Sequence, residues 1–186
     1  MGAINLKNKN MTYIHIPRTG GQSVREFLLK EKDAVIMPLN DRRINGKHPD
    51  IWTAKEYFGD LGYTFCTVRN PYDRVVSMFS HLKKVDKNMP SNTDFKKFVF
   101  NYADYDTFMK PASRWFNDGD VDYVMRFENL AQDFKDIQAK LNTNRKLIHK
   151  NAAPHNNYSM YYDNEIRDFI SEKFKGDLER FNYSFE

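Results

Sequence analysis

Two stretches of this chain carry residue types and spacings suited to holding a charged phosphate group. In the first, the apolar run Tyr13-Ile14-His15-Ile16 is followed by Pro17, Arg18, Thr19, the paired glycines Gly20 and Gly21, and then Gln22 and Ser23 at the head of an amphipathic run. That order reads as strand, tight loop and helix N-terminus. Glycines there can adopt positive φ and bring main-chain N–H groups close to a ligand, and the first turn of the helix presents N–H donors and a positive dipole end. Thr19, Gly20, Gly21, Gln22 and Ser23 are therefore candidates for an anion cradle, with Arg18 adding a permanent charge at its rim. A plain strand-to-helix turn is the alternative reading of the same residues. The four-residue glycine spacing and Gly-Lys-Ser/Thr ending of a nucleotide-hydrolase phosphate loop are both absent.

The second stretch is Phe65 to Ser80. Asn70 stands where an N-cap belongs, Pro71 at the first helical position and Asp73 in the first turn, three start signals that agree on a helix after the strand. Arg69 then falls at the carboxyl end of a strand, where open α/β sheets bind ligands. Ser77 lies in the following helix. A guanidinium fork and a hydroxyl together suit a phosphate monoester.

At these residues the chain resembles a known family. Ile14 to Ser23 is similar to the 5'-phosphosulfate loop of sulfotransferases that use 3'-phosphoadenosine 5'-phosphosulfate (PAPS), and Val68 to Ser77 is similar to their 3'-phosphate motif. The branch it resembles most contains the carbohydrate 2-O-sulfotransferases and their bacterial and viral relatives. Further similarity lies in Arg126-Phe127-Glu128-Asn129-Leu130 and in Asp177 to Tyr183. The resemblance implies an α/β fold of the P-loop-kinase-like sulfotransferase kind, with a central, mainly parallel sheet flanked by helices. It also implies sulfuryl transfer from PAPS to an acceptor hydroxyl, carbohydrate by analogy, with release of PAP and no metal. The cradle would hold the 5'-phosphosulfate, and Arg69 with Ser77 the 3'-phosphate. The family usually has Lys where this chain has Arg18, which would neutralise charge on the departing phosphate oxygen but is a very poor proton donor.

Transfer to a hydroxyl needs a base. His48, in the polar loop Asn40 to Pro49, is the first candidate, because an imidazole titrates near neutrality and related 2-O-sulfotransferases place a catalytic histidine just before the strand of the second motif. A carboxylate would also serve, and a loop residue without chemistry is the plain alternative. His155, in a segment similar to one that lies near the cofactor in the family, is the second candidate. His15 reads as a satisfied strand residue, His81 as an exposed helical one, and His149 as part of a solvated basic segment. No His-x-x-x-His or comparable ligand spacing implies a metal.

The elements that must position these groups follow from length and pattern. The 186 residues are 40% hydrophobic and 15% aromatic, enough to bury a core as a single domain spanning residues 1–186, which the resemblance makes a sulfotransferase domain. Residues 1–10 read as a polar, frayed lead-in. Strands are expected at Ala34 to Pro38, Tyr63 to Val68 and Val121 to Phe127. Helices are expected at Ser23 to Lys32, Ile51 to Gly59, from Pro71, at Asp94 to Tyr105, at Leu130 to Leu141 and at Asn164 to Lys175. Tyr158 to Tyr162 is either an adenine contact or, more simply, an aromatic packing cluster.

The net charge of +4 suits a polyanionic ligand. A nucleic-acid module is not recognisable, and no apolar stretch approaches the roughly 20 residues of a membrane span. Residues 1–12 lack the apolar core of a signal peptide, and the single cysteine, Cys66, permits a reducing compartment, so a soluble cytoplasmic protein is the expectation. Two other functions compete: a noncatalytic PAP- or PAPS-binding protein, and a nucleotide-dependent phosphotransferase, for which the Walker lysine is missing.

Overall fold

The computed structural model describes residues 2–38, 48–87, 89–102, 109–148 and 156–186. The fold is α/β, with a five-stranded mixed sheet and flanking helices. The chain packs as two compact units, Met1–Val68 with Arg114–Ala152, and Arg69–Ser113 with Ala153–Glu186.

The first unit holds the whole sheet. Its strands are β1 (Ile4–Leu6), β2 (Met11–Ile14), β3 (Ala34–Ile36), β4 (Tyr63–Val68) and β5 (Tyr123–Arg126), in the order β3-β1-β2-β4-β5. β2 pairs with β4, and β4 with β5, in parallel, whereas β1 runs antiparallel to both β2 and β3. The mainly parallel sheet is thus as expected. β4 is buried from Thr64 to Val68, the near-continuous apolar strand required where helices cover both faces.

The frayed lead-in is corrected: residues 4–6 form a strand inside the sheet. All three of its residues are buried, and Met37 N–H extends the pairing by donating to the Ala3 carbonyl at 2.9 Å. Its polar residue is satisfied across the ladder, where Asn5 Nδ2 donates to Thr12 Oγ1 at 2.8 Å, and Thr12 Oγ1 donates in turn to the Leu61 carbonyl at 2.6 Å. A buried amide with such partners no longer carries the desolvation cost that its type suggests.

Helices α1 (Gly21–Leu28), α2 (Ile51–Phe58) and α5 (Leu130–Lys140) belong to this unit. Val24, Phe27 and Leu28 of α1 and Leu130, Phe134 and Ile137 of α5 form one core with Ile4, Leu6, Met11, Tyr13, Phe65 and Met125 of the strands. Phe27 meets Phe134 edge-on at 4.8 Å between centroids. α1 starts two residues earlier than the sequence pattern suggests and ends four earlier.

The second unit is helical: α3 (Pro71–Val85), α4 (Phe95–Tyr102), α6 (Asn164–Lys173) and α7 (Lys175–Arg180). Val75, Val76 and Phe79 of α3 pack with Phe95, Phe98 and Val99 of α4 and with Ile166 and Ile170 of α6. The short α7, which apolar periodicity did not reveal, is anchored by buried Asp177, whose two carboxylate oxygens accept from Ala112 N–H at 2.8 Å. Among the described residues no helix is long and apolar enough to cross a membrane.

Candidate functional site

β2 and β4 are adjacent and parallel, with Ile14 opposite Cys66, so His15 and Thr67 continue from the same edge of the sheet. Beyond His15 and Ile16 the chain turns through Pro17 to Arg18, whose φ of 64° is left-handed, an uncommon and strained state for a residue that carries a Cβ. Thr19, buried, donates its hydroxyl to the Ile16 carbonyl at 2.9 Å, so its proton fixes the loop rather than pointing to a ligand. Gly20, at φ 80°, caps α1 without a side chain, Ser23 N–H donates to the Gly20 carbonyl at 3.0 Å, and no acidic residue lies in the first turn.

The two glycines are required by packing as well as by conformation. A Cβ on Gly20 would stand 2.8 Å from Phe127 Cδ2, and one on Gly21 would stand 2.3 Å from His15 Nε2 and 2.8 Å from the Tyr13 hydroxyl. The sequence reading assigned both glycines to ligand approach. The structure shows that side chains of the protein itself occupy the space beside them, while the main-chain N–H groups of a helix's first turn still lack intrahelical acceptors.

Under this loop lies a buried pair of imidazoles. His15 is 2% and His48 5% exposed, and their rings meet edge to face at 4.9 Å between centroids. His48 Nδ1 lies 3.1 Å from the His15 carbonyl, and because a carbonyl only accepts, Nδ1 carries the proton and Nε2 the lone pair. Trp115 fixes the main chain on either side of Pro49: its indole N–H donates to the His48 carbonyl at 3.2 Å, and its own carbonyl accepts from Ile51 N–H at 2.9 Å. Asp50 then caps α2 through Thr53 N–H at 2.8 Å and binds Arg114 Nη1 at 2.6 Å, contacts that hold its carboxyl below the usual range against the opposing effect of burial. Burial, reinforced by the neighbouring His48 ring and the Arg25 guanidinium, holds the His15 pKa well below that of a free imidazole. Tyr13 completes the floor, its hydroxyl 3.4 Å from Thr67 Oγ1.

In the second unit, the start signals of α3 operate as the sequence indicates. Asn70 Oδ1 accepts from Tyr72 N–H at 3.1 Å, and its Nδ2 donates to the Ser184 carbonyl at 3.0 Å. Arg69, 9% exposed, places Nε and Nη2 on Asp73 Oδ2 at 2.8 and 2.7 Å. Asp73 and buried Ser77 are one turn apart on α3, so the arginine, its orienting carboxylate and the hydroxyl share one face. Arg74, also buried, donates to the Lys110 carbonyl at 3.0 Å, and burial lowers its pKa to about 10 despite the favourable charge of Asp177.

The other histidines separate clearly. His81 is half-buried in α3, and both His155 and His149 lie outside the described residues, as do residues 39–47 of the loop before His48. Tyr158 and Tyr162 pack with Tyr72 and Phe185, which supports the packing reading of that aromatic segment. The sequence reading used Asp73 only as a helix-start signal and missed its pairing with Arg69, the contacts of Trp115 and the closeness of His15 to His48. Asp73 alone had a local signal there, at i+4 from Arg69. A cavity of about 280 Å³ lined by Ile51, Trp52, Lys55, Leu61, Thr64 and Asp122 opens at the amino end of β4, away from the edge that carries the loop.

No protein-family model matches the chain. An uncharacterized protein of Archaeoglobus fulgidus is 32% identical over 105 residues, covering 52% of this chain and 83% of that protein. Among solved structures, the mouse sulfotransferase SULT7A1 complexed with PAP superposes with a TM-score of 0.58 at 15% identity, covering 89% of this chain and 83% of that one. A sulfotransferase from Alicyclobacillus acidocaldarius is similar with a TM-score of 0.44 at 16% identity, over 75% of this chain and 61% of that one. The chain therefore belongs to one family with the archaeal protein, and its fold is that of the mouse sulfotransferase.

Proposed function

We propose that this protein is a PAPS-dependent sulfotransferase that moves a sulfuryl group to an acceptor hydroxyl, a carbohydrate hydroxyl by resemblance to the 2-O-sulfotransferase branch, and releases PAP. The observation that carries this reading is the meeting of two distant motifs. The His48 ring, 33 residues further along the chain, packs on His15 at the foot of the loop that opens α1, with its tautomer set so that Nε2 is the basic nitrogen. An anion cradle and a base of defined tautomer are the two parts that such a transfer requires.

The residues present fit the donor. The head of α1 offers main-chain donors with no acidic side chain in its first turn, Arg18 supplies a charge that persists at any working pH, and Arg69 is held by Asp73 as an oriented fork. When bound, PAPS supplies a sulfuryl group activated by a phosphate leaving group. Backbone N–H groups from Thr19 to Ser23 would hold the 5'-phosphosulfate, and Arg69 with Ser77 the 3'-phosphate. His48 Nε2 would take the acceptor proton as the new S–O bond forms and the bridge from sulfur to phosphate breaks. Arg18 would neutralise the charge left on the phosphate oxygen. As in phosphoryl transfer, positioning and charge stabilisation dominate.

The test is transfer of labelled sulfate from PAPS to a panel of carbohydrate hydroxyls, with His48→Gln beside the wild type. General-base loss should cost about 10²- to 10⁴-fold in turnover with PAP affinity retained. Equal turnover in the two proteins would remove His48 from the chemistry. Donor binding without transfer to any hydroxyl would favour the noncatalytic PAP-binding role.

A further inference from the structure

The side chain of His15 stands between the loop that opens α1 and the ring of His48. Toward the loop, its Nε2 and Cδ2 edge fills the space left by the absent Gly21 side chain, where a Cβ would stand 2.3 and 2.4 Å from those atoms. On another side its ring meets that of His48 at 4.9 Å between centroids and 84° between planes, and the Tyr13 ring lies at 5.8 Å. The main chain of His48 is fixed by the Trp115 indole at its carbonyl and by the Asp50 cap of α2 two residues on. What remains is rotation of the ring. One hydrogen bond, from Nδ1 to the His15 carbonyl, leaves an imidazole able to swing about it, and edge-to-face contact with a second ring removes that swing. The aim of His48 Nε2 therefore depends on the His15 side chain as well as on its carbonyl. His15 Nδ1 is buried without a hydrogen-bond partner among the described residues, so on that side the ring acts on its neighbours through shape.

We propose that His15 is a positioning residue: its ring is the spacer that sets how far, and at what angle, the base His48 stands from the anion cradle before α1. This deepens the reading of His48 as the base and rests on it. In an in-line transfer the acceptor oxygen lies opposite the leaving oxygen, and the base must reach the acceptor proton in that pose. Misplacement by about 1 Å costs such a step on the order of 10²-fold. The consequence is a defect in turnover alone, with the donor held as before.

The experiment measures kcat and KM for labelled sulfate transfer from PAPS to the carbohydrate panel, and PAP affinity by calorimetry. The proteins are wild type, His15→Gln, His15→Phe, His48→Gln and the double variant His15→Gln with His48→Gln. Glutamine is close to histidine in volume and fills the site without a flat ring, whereas phenylalanine restores one. His15→Gln should lose at least about tenfold in kcat, with KM for PAPS and PAP affinity within about twofold of wild type, and His15→Phe should recover most of that loss. The double variant should turn over no more slowly than His48→Gln, because a spacer acts only through the base. Wild-type turnover in His15→Gln, a matching loss of PAP affinity, no recovery in His15→Phe, or multiplied losses in the double variant overturns the spacer and leaves the base reading standing. Wild-type turnover in His48→Gln, or no transfer by the wild type to any member of the panel, overturns both.

Discussion

His48 holds its Nδ1–H on the main-chain oxygen of His15 at 3.1 Å, while the two rings meet edge to face. The contact ties a loop residue to the end of β2, and it ties the proposed base to the peptide from which the anion loop starts. Since the acceptor is a backbone atom, the tautomer of His48 survives substitution of the His15 side chain. The ring of His15 can therefore be probed separately from the orientation of His48.

That ring gives the protein a specific pH dependence. Burial and neighbouring positive charge depress the His15 pKa in the folded state, so the unfolded chain binds this proton more readily. Stability from this group is fully present above the unfolded pKa of about 6.5 and is lost as pH falls below it toward the depressed folded value, at roughly 1 kcal/mol per pH unit. Denaturant unfolding followed from pH 8 to pH 5 should show that slope in the wild type and a flatter one in His15→Phe. An identical slope in both would mean that the His15 imidazole is not buried as a neutral group.

Gly21→Ala should disrupt the site from beneath. The new methyl would stand 2.3 Å from His15 Nε2 and 2.8 Å from the Tyr13 hydroxyl, both on buried rings with little room to move. Overpacking of this kind costs about 1 to 3 kcal/mol. A double-mutant cycle with His15→Ala should recover about 1 kcal/mol or more of it, since the clash is with that ring. Simple additivity in chemical denaturation would contradict the contact.

Arg18 sits at φ 64°, a conformation that costs a non-glycine residue about 1 to 2 kcal/mol. Arg18→Gly should raise stability by up to about 1 kcal/mol while lowering sulfuryl transfer at least tenfold, because strain is relieved and the charge at the cradle is lost. Arg18→Lys should keep donor affinity within a few-fold. A higher turnover in Arg18→Lys would show that a proton, as well as charge, reaches the leaving group. Stability lowered by Arg18→Gly would mean that the side chain contributes more than its backbone strain.

Much of this was legible locally. β4 matches its apolar run at both ends, and α3 begins where Asn70, Pro71 and Asp73 place it, because capping chemistry is encoded in neighbouring residues. β1 was not legible: Asn5 and the lysines beside it look like a solvated segment, and only the cross-strand bond to Thr12 makes burial acceptable. α7 was hidden for a similar reason, since its anchor is a buried carboxylate on a distant N–H group rather than an apolar stripe. Among the proposed ligand-binding residues, those of the loop before α1 and Arg69 are named from spacing, and their role awaits the binding tests. The packing of His15 on Gly21 and His48, and the clamp of Trp115 across Pro49, depend on which strands become neighbours. No local pattern carries that information.

The central claim is that the protein recognises a nucleotide bearing a 3'-phosphate, and calorimetric binding of PAP against ADP, which lacks that phosphate, tests it most directly. With Asp73 orienting the Arg69 fork, charge-assisted hydrogen bonds to the phosphate contribute roughly 1.5 to 3 kcal/mol each. Wild type should bind PAP at least about tenfold more tightly than ADP, and Arg69→Ala should erase that advantage with ADP affinity nearly unchanged. A wild type that binds PAP no better than ADP would contradict the account at its most specific motif.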